Sequence, residues 1–92
     1  MADTCRIDVW LWRARFAKTR TQAAALVERG AVRLTHAGRQ TRMDKPGRDV
    51  CVGDGLTFAS HGGVVDLKIE ALGSRRGPPE EARALYSVIS EN

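Results

Sequence analysis

Residues 6 to 34 read RIDVWLWRARFAKTRTQAAALVERGAVRL, and this window decides the fold. Ile7, Trp10, Leu11 and Ala14 recur at the i, i+3, i+4, i+7 spacing of one helical face. Asp8 falls in the first turn, where a negative charge favours the helix dipole. Phe16, Ala17 and Lys18 make a short link, and Thr19 with Gln22 forms the S/T-x-x-E/Q capping box of a second helix start. Ala23, Leu26 and Val27 give that helix its apolar face, and Gly30 stands where a left-handed cap is wanted, so the helix is predicted to end at about Arg29. Val32 and Leu34 then alternate with Arg33 and Thr35, the pattern of a strand with one buried and one basic face, turned by Ala37 and Gly38.

Outward from this window the pattern is weaker. Arg39 to Gly55 holds few apolar residues and contains Lys45-Pro46-Gly47 and Gly53-Asp54-Gly55, which predicts a long loop with short extended pieces. Leu56 to Ala59 and Val64 to Ala71 read as a strand pair around Ser60, His61, Gly62 and Gly63. Ser74 to Pro79 cannot continue a strand; Glu80 and Glu81 follow the prolines in a first helical turn, and Ala82, Leu85, Tyr86 and Ile89 keep helical spacing. The expected class is α+β: two helices packed on a small, mostly antiparallel sheet, with a short C-terminal helix covering part of it. Residues 1–92 are read as a single domain, with a helix-helix-strand unit and its basic loop over 6–55 and a hairpin plus C-terminal helix over 56–92.

Charge is uneven along the chain. Residues 1–48 carry eleven Lys and Arg against four acids, a balance of +7, while residues 49–92 carry four against seven, or −3. Positive charge concentrated on one structural unit raises the local concentration of a polyanion, and nucleic acid is the first candidate. An apolar fraction of 42% with 28% charged residues places that charge on a folded domain, not on a disordered tail. A domain of this length buries only about 60–65% of its unfolded surface, which leaves little room for an enclosed active site. No run approaches the roughly 20 apolar residues of a membrane span, and no signal-peptide pattern is present, so a cytoplasmic protein without membrane partners is expected. Cys5 and Cys51 read as free thiols. With His36 and His61 they lack the short ligand spacing of a zinc site, so neither metal nor cofactor is expected.

The basic residues define the candidate site. Arg13, Arg15 and Lys18 lie at the end of the first helix and in the link, Arg20 opens the second helix and Arg29 closes it, and Arg33 and Arg39 occupy the strand and its turn. If the helices pack side by side, these side chains converge on the amino end of the second helix, whose free N–H groups and partial positive charge suit a phosphate. Arginine adds a planar fork for phosphate and a surface for bases. A plain solvated face is the competing reading, with Arg20 pairing Asp8 and Arg29 beside Glu28 as ordinary surface charges. Like charges repel, however, and gathering them costs stability unless a partner uses them. Trp10 lies on the apolar stripe. Trp12 points roughly 160° from it, where packing on the sheet or the final helix is favoured over stacking on a base. His36 and His61 read as exposed loop residues, and no nucleophile-base set or paired carboxylates suggest an enzyme.

Arg6-Ile7-Asp8, Trp10-Leu11, Arg15, Lys18-Thr19-Arg20, Ala23, Leu26-Val27, Gly30, Val32, Lys45-Pro46-Gly47 and Gly53-Asp54 together resemble the RNA-binding domain of the ribosomal protein S4 type, the αL RNA-binding motif. Within that family the chain is most similar to a small ribosome-associated heat-shock group, through Trp10-Leu11-Trp12, Ala14-Arg15-Phe16, Arg75-Arg76 and Leu85-Tyr86. The resemblance implies RNA contact by the two helices and the adjoining strand, at Arg6, Arg13, Arg15, Lys18, Thr19, Arg20, Ala24, Arg29, Ala31, Arg33 and Arg39. Ala24 and Ala31 stand where the family often places basic residues. For the heat-shock group it implies association with a large ribosomal subunit that still holds peptidyl-tRNA. The expected function is therefore non-enzymatic binding of structured RNA by a monomer, in rescue of stalled subunits under heat stress. The alternative is a DNA-binding helix-turn-helix, for which Gln22, Ala25 and Glu28 supply few base-reading groups. A metal-dependent enzyme stands third.

Overall fold

The computed structural model describes residues 3–60 and 63–91. Chain order is β1 (Cys5–Arg6), α1 (Ile7–Arg13), α2 (Arg20–Glu28), β2 (Val32–His36), β3 (Arg39–Met43), β4 (Asp49–Val50), β5 (Gly55–Ser60), β6 (Gly63–Ile69), α3 (Pro79–Arg83) and β7 (Tyr86–Glu91). His61, read above as an exposed loop residue, lies outside the described residues. No helix among them is long and apolar enough to cross a membrane.

A helix of seven residues is marginal in isolation, so α1 persists through what it buries. Ile7, Trp10 and Leu11 are fully inaccessible and Ala14 nearly so. The Trp10 indole Nε1 donates to the Ala71 carbonyl at 3.0 Å, and its ring stacks on Phe16 at 6.2 Å and meets Tyr86 edge-on at 6.4 Å. The first-turn N–H groups, which no helix can satisfy internally, donate from Ile7 to Arg48 O at 2.8 Å and from Asp8 to Pro46 O at 3.2 Å. Pairing of β1 with β4 holds that turn in place. In α2 the Thr19 hydroxyl accepts from Gln22 N at 3.0 Å, half of the expected capping box. Gly30 follows at φ +75°, a left-handed conformation that favours glycine, with the exposed Arg42 guanidinium lying over it.

The main sheet runs β3-β2-β5-β6-β7 with every pair antiparallel. Its register puts Val32, Leu34, Met43, Leu56, Phe58 and Leu67 on one face, all buried in the same core as α1, Ala23 and Val27. The opposite face carries Arg33, Thr35, Gln40, Arg42, Thr57, Asp66 and Lys68. The fold is thus α+β, two helices on a mostly antiparallel sheet with a short helix near the carboxyl end.

Two segments differ from the sequence reading. The expected loop after Arg39 opens with a strand, because Ala37 (φ 53°) and Gly38 (φ 79°) both adopt the left-handed conformation of a two-residue hairpin turn. The closing helix stops at Arg83, and Tyr86–Glu91 forms edge strand β7 on β6 in place of the helical turns expected through Ile89. Val88 and Ile89 are β-branched and favour a pleated surface. The unpaired edge of β6 supplies hydrogen bonds that a short isolated helix turn could not match.

Candidate nucleic-acid interface

The carboxyl end of α1 is laced to the segment before α3 by three guanidinium groups. Arg13 Nη1 donates to Gly73 O at 3.0 Å and lies 3.5 Å from Leu72 O and from Cys5 Sγ. Arg15 takes a left-handed backbone (φ 65°) and its Nε donates to Gly77 O at 2.7 Å. Arg76 Nε reaches back to Trp12 O at 3.1 Å. Cations at a helix carboxyl end complement its dipole, so these residues stabilise the fold as well as carrying charge. Arg13 is only partly exposed, and its Nε is buried without a partner among the described residues. Trp12 is half-buried against the core, the packing role favoured for it.

Asp8 does not pair with Arg20. It is 4% exposed and takes a two-pronged contact from Arg6, Nε to Oδ1 at 3.1 Å and Nη2 to Oδ2 at 3.0 Å, with Val9 N adding a 2.8 Å bond. Arg6 lies two residues away in sequence and takes the buried carboxylate, and the hydrogen bond to Asp8 raises its pKa further. Arg20 therefore stays exposed beside exposed Lys18 and Thr19 at the opening of α2. The Thr19 hydroxyl is used as the cap, which leaves the first-turn N–H groups of Arg20 and Thr21 for an anion.

The remaining cations gather at the other end of α2, roughly 13 Å away for a nine-residue helix. Arg29 is exposed there. Arg33 on β2 faces Arg42 on β3 directly across the hairpin, and the Arg42 guanidinium lies against Gly30. Arg39 pairs with His36 near the hairpin tip, and alternation places it on the opposite hairpin face from Arg33 and Arg42. Ala24 and Ala31 are half-buried near this path and add no charge. The surface is thus two basic groups at the two ends of α2, not one cluster at its amino end. Arg42 was missed in the sequence because β3 was read as loop. The Ala37-Gly38 turn was the available signal, since a two-residue hairpin there sets 33 opposite 42.

The histidine and thiols also fall differently. His36 ends β2, and its Nδ1 lies 2.5 Å from Asp54 Oδ1. Cys51 approaches the same carboxylate at 3.5 Å. Burial, then the Asp54 charge, pushes the Cys51 thiol pKa up. Cys5 is likewise raised, chiefly by burial.

A capped helix pair on an antiparallel sheet, with exposed arginines at both ends of the second helix, is the architecture of an S4-type module, and the S4 domain pattern matches residues 5–34. Over 87 residues the chain is 34% identical to heat shock protein 15 of Escherichia coli, covering 95% of this chain and 62% of the relative. It is 33% identical over 91 residues to the RQC P-site tRNA stabilizing factor of Listeria monocytogenes, covering 99% of this chain and 92% of that protein. The solved trimeric structure of Vibrio cholerae heat shock protein 15 superposes with a TM-score of 0.82 at 33% identity, over 96% of this chain and 84% of that one. The chain belongs to the S4-domain family, in the group that holds heat shock protein 15 and the RQC P-site tRNA stabilizing factor. It spans 62% of the length of the Escherichia coli protein. The expectation of a monomer finds no support in the trimeric relative.

Proposed function

We propose that this chain is a non-enzymatic RNA-binding protein that recognises structured RNA of the large ribosomal subunit through phosphate and shape contacts, in rescue of stalled, peptidyl-tRNA-bearing subunits under heat stress. The observation that carries the reading is the exposure of Lys18 and Arg20 at the capped amino end of α2 with Arg29, Arg33 and Arg42 at its other end. A phosphate seated on the first-turn N–H groups meets Lys18 and Arg20 at once, and a second stretch of backbone crosses the hairpin arginines. A-form RNA hides its base edges in a deep groove, so a small rigid surface reads backbone geometry. The names of the relatives, a heat shock protein and a P-site tRNA stabilizing factor, support the ribosomal setting.

For about five neutralised phosphates, log affinity should fall against log salt with a slope of about −3.5 to −4.5. A flat response sinks the reading. Competition between duplex DNA and ribosomal RNA at one salt concentration separates this reading from the helix-turn-helix alternative, with RNA expected to win; the exposed Glu28 on α2 disfavours that alternative. Arg42→Ala separates binding from folding. Like charges directly opposed across a strand pair are destabilising by about 0.2–1 kcal/mol, so the variant should be as stable as the parent or more so by urea melt. Its salt slope should be shallower by about 0.7–0.9.

A further inference from the structure

Three side chains that the RNA surface does not use meet at one corner of the sheet. Cys51-Val52-Gly53-Asp54 is a tight turn in which Asp54 N donates to Cys51 O at 3.1 Å, with Gly53 at φ +97°. Cys51 N donates back to Asp54 Oδ2 at 3.0 Å, which fixes the carboxylate. The turn presents its first and fourth side chains together, the C-x2-C spacing of zinc knuckles with a carboxylate in the second place. His36 arrives from the neighbouring strand: Thr35 pairs with Gly55, and one step further along the same antiparallel register His36 stands opposite Asp54.

The donor atoms are His36 Nδ1, Cys51 Sγ and an Asp54 oxygen, all within 4.8 Å of one another. Ligand atoms on a tetrahedral zinc lie about 3.3–3.8 Å apart, given metal-ligand distances of 2.0–2.3 Å. Closing the set therefore takes about an ångström of side-chain movement at Cys51 and His36, neither of which is fully buried. Asp54 is 4% exposed while the His36 side chain is 61% exposed, so the corner is closed on the carboxylate side and open to water on the imidazole side.

We propose that His36, Cys51 and Asp54 form a binding site for one divalent transition metal of the zinc class, with its fourth position open to solvent. Thiolate and imidazole select zinc or cobalt over magnesium and calcium. On binding, the Cys51 thiol proton is released to solvent, the His36 proton is exchanged through water from Nδ1 to Nε2 so that neutral Nδ1 can ligate, and the metal takes the place of the His36–Asp54 hydrogen bond. The site ties the β2 end of the hairpin to the turn before β5, and so steadies the strands that carry Arg33 and Arg42. It is independent of the RNA-binding reading and stands or falls by itself. The competing role for Asp54 is a turn clamp that holds His36 without any metal.

Cobalt(II) is the probe, titrated into the full chain after chelator treatment, with zinc added afterwards as competitor. The expected result is one cobalt per chain, a thiolate-to-cobalt charge-transfer band in the near ultraviolet, and loss of both on zinc addition. Cys51→Ser should abolish the band, His36→Gln should weaken cobalt binding at least tenfold, and Cys5→Ser should leave both unchanged. His36 is exposed and Cys51 half-buried, so these variants fold, which far-ultraviolet circular dichroism verifies, whereas a change at buried Asp54 is avoided. Absence of a thiolate band in the parent, its survival in Cys51→Ser, its loss in Cys5→Ser, or unchanged affinity in His36→Gln would overturn the proposal.

Discussion

Replacing Trp10 with alanine is expected to lower stability by about 3–5 kcal/mol, against a total of about 5–15 kcal/mol for a domain of ordinary stability. The size of the effect follows from three losses at one position. Trp10 is fully inaccessible, so its removal opens a cavity between α1, the sheet and the aromatic pair Phe16 and Tyr86. The half-buried Ala71 carbonyl loses its 3.0 Å indole donor. The contact spans 61 residues of sequence, so the segment leading to Gly73 and Gly77 loosens, and with it the carbonyls that hold Arg13 and Arg15. Urea denaturation monitored by far-ultraviolet circular dichroism measures the loss. Trp12→Ala provides the contrast: that ring is only half-buried, and its change should cost less than half as much. Equal losses at the two positions would mean that the stripe of α1 was assigned to the wrong face.

The contrast between the tryptophans was legible from spacing alone, and so were the ends of α2. Thr19 caps and Gly30 turns because each has a local requirement, a side-chain acceptor for an orphan N–H and a left-handed backbone, and local requirements leave a mark in sequence. β3 left none. It is an edge strand with one buried residue, Met43, and its neighbours Arg39, Gln40 and Arg42 are polar on either face. β7 left a misleading one. Leu85, Tyr86 and Ile89 fit a helical period, yet the choice between helix and strand was made by the free edge of β6, which no window of the sequence contains.

The site divides in the same way. Charge density on the first half of the chain was visible at once, whereas the division of labour among the arginines was not. Arg13 and Arg15 are held by carbonyls at Gly73 and Gly77, about 60 residues downstream, and nothing near either arginine in sequence announces that. The Arg6–Asp8 pair is local and could have been read, since two residues at the mouth of a helix compete on better terms for Asp8 than Arg20 does. His36 looked like a loop residue because its partner Asp54 is reached only through the β2–β5 register.

Changing Lys18 and Arg20 together to alanine is expected to weaken RNA binding at least tenfold, about 1.4 kcal/mol, with stability unchanged within about 0.5 kcal/mol. Stability is spared because both side chains are exposed, the Thr19–Gln22 cap remains, and alanine is a good residue for the first turn of α2. Binding is not spared, because these are the cations beside the free N–H groups of that turn, where backbone dipoles and side-chain charge act on the same phosphate. Losing two phosphate contacts should also make the salt slope shallower by about 1.4–1.8. The exchange Lys18→Arg with Arg20→Lys keeps the charge but alters the hydrogen-bonding fork, so it should recover most of the slope and only part of the affinity. Filter binding of ribosomal RNA across a salt series measures both. Unchanged affinity in a folded double alanine variant would move the interface to Arg29, Arg33 and Arg42, about 13 Å away at the other end of the same helix. The Arg42→Ala slope would then have to carry the larger change.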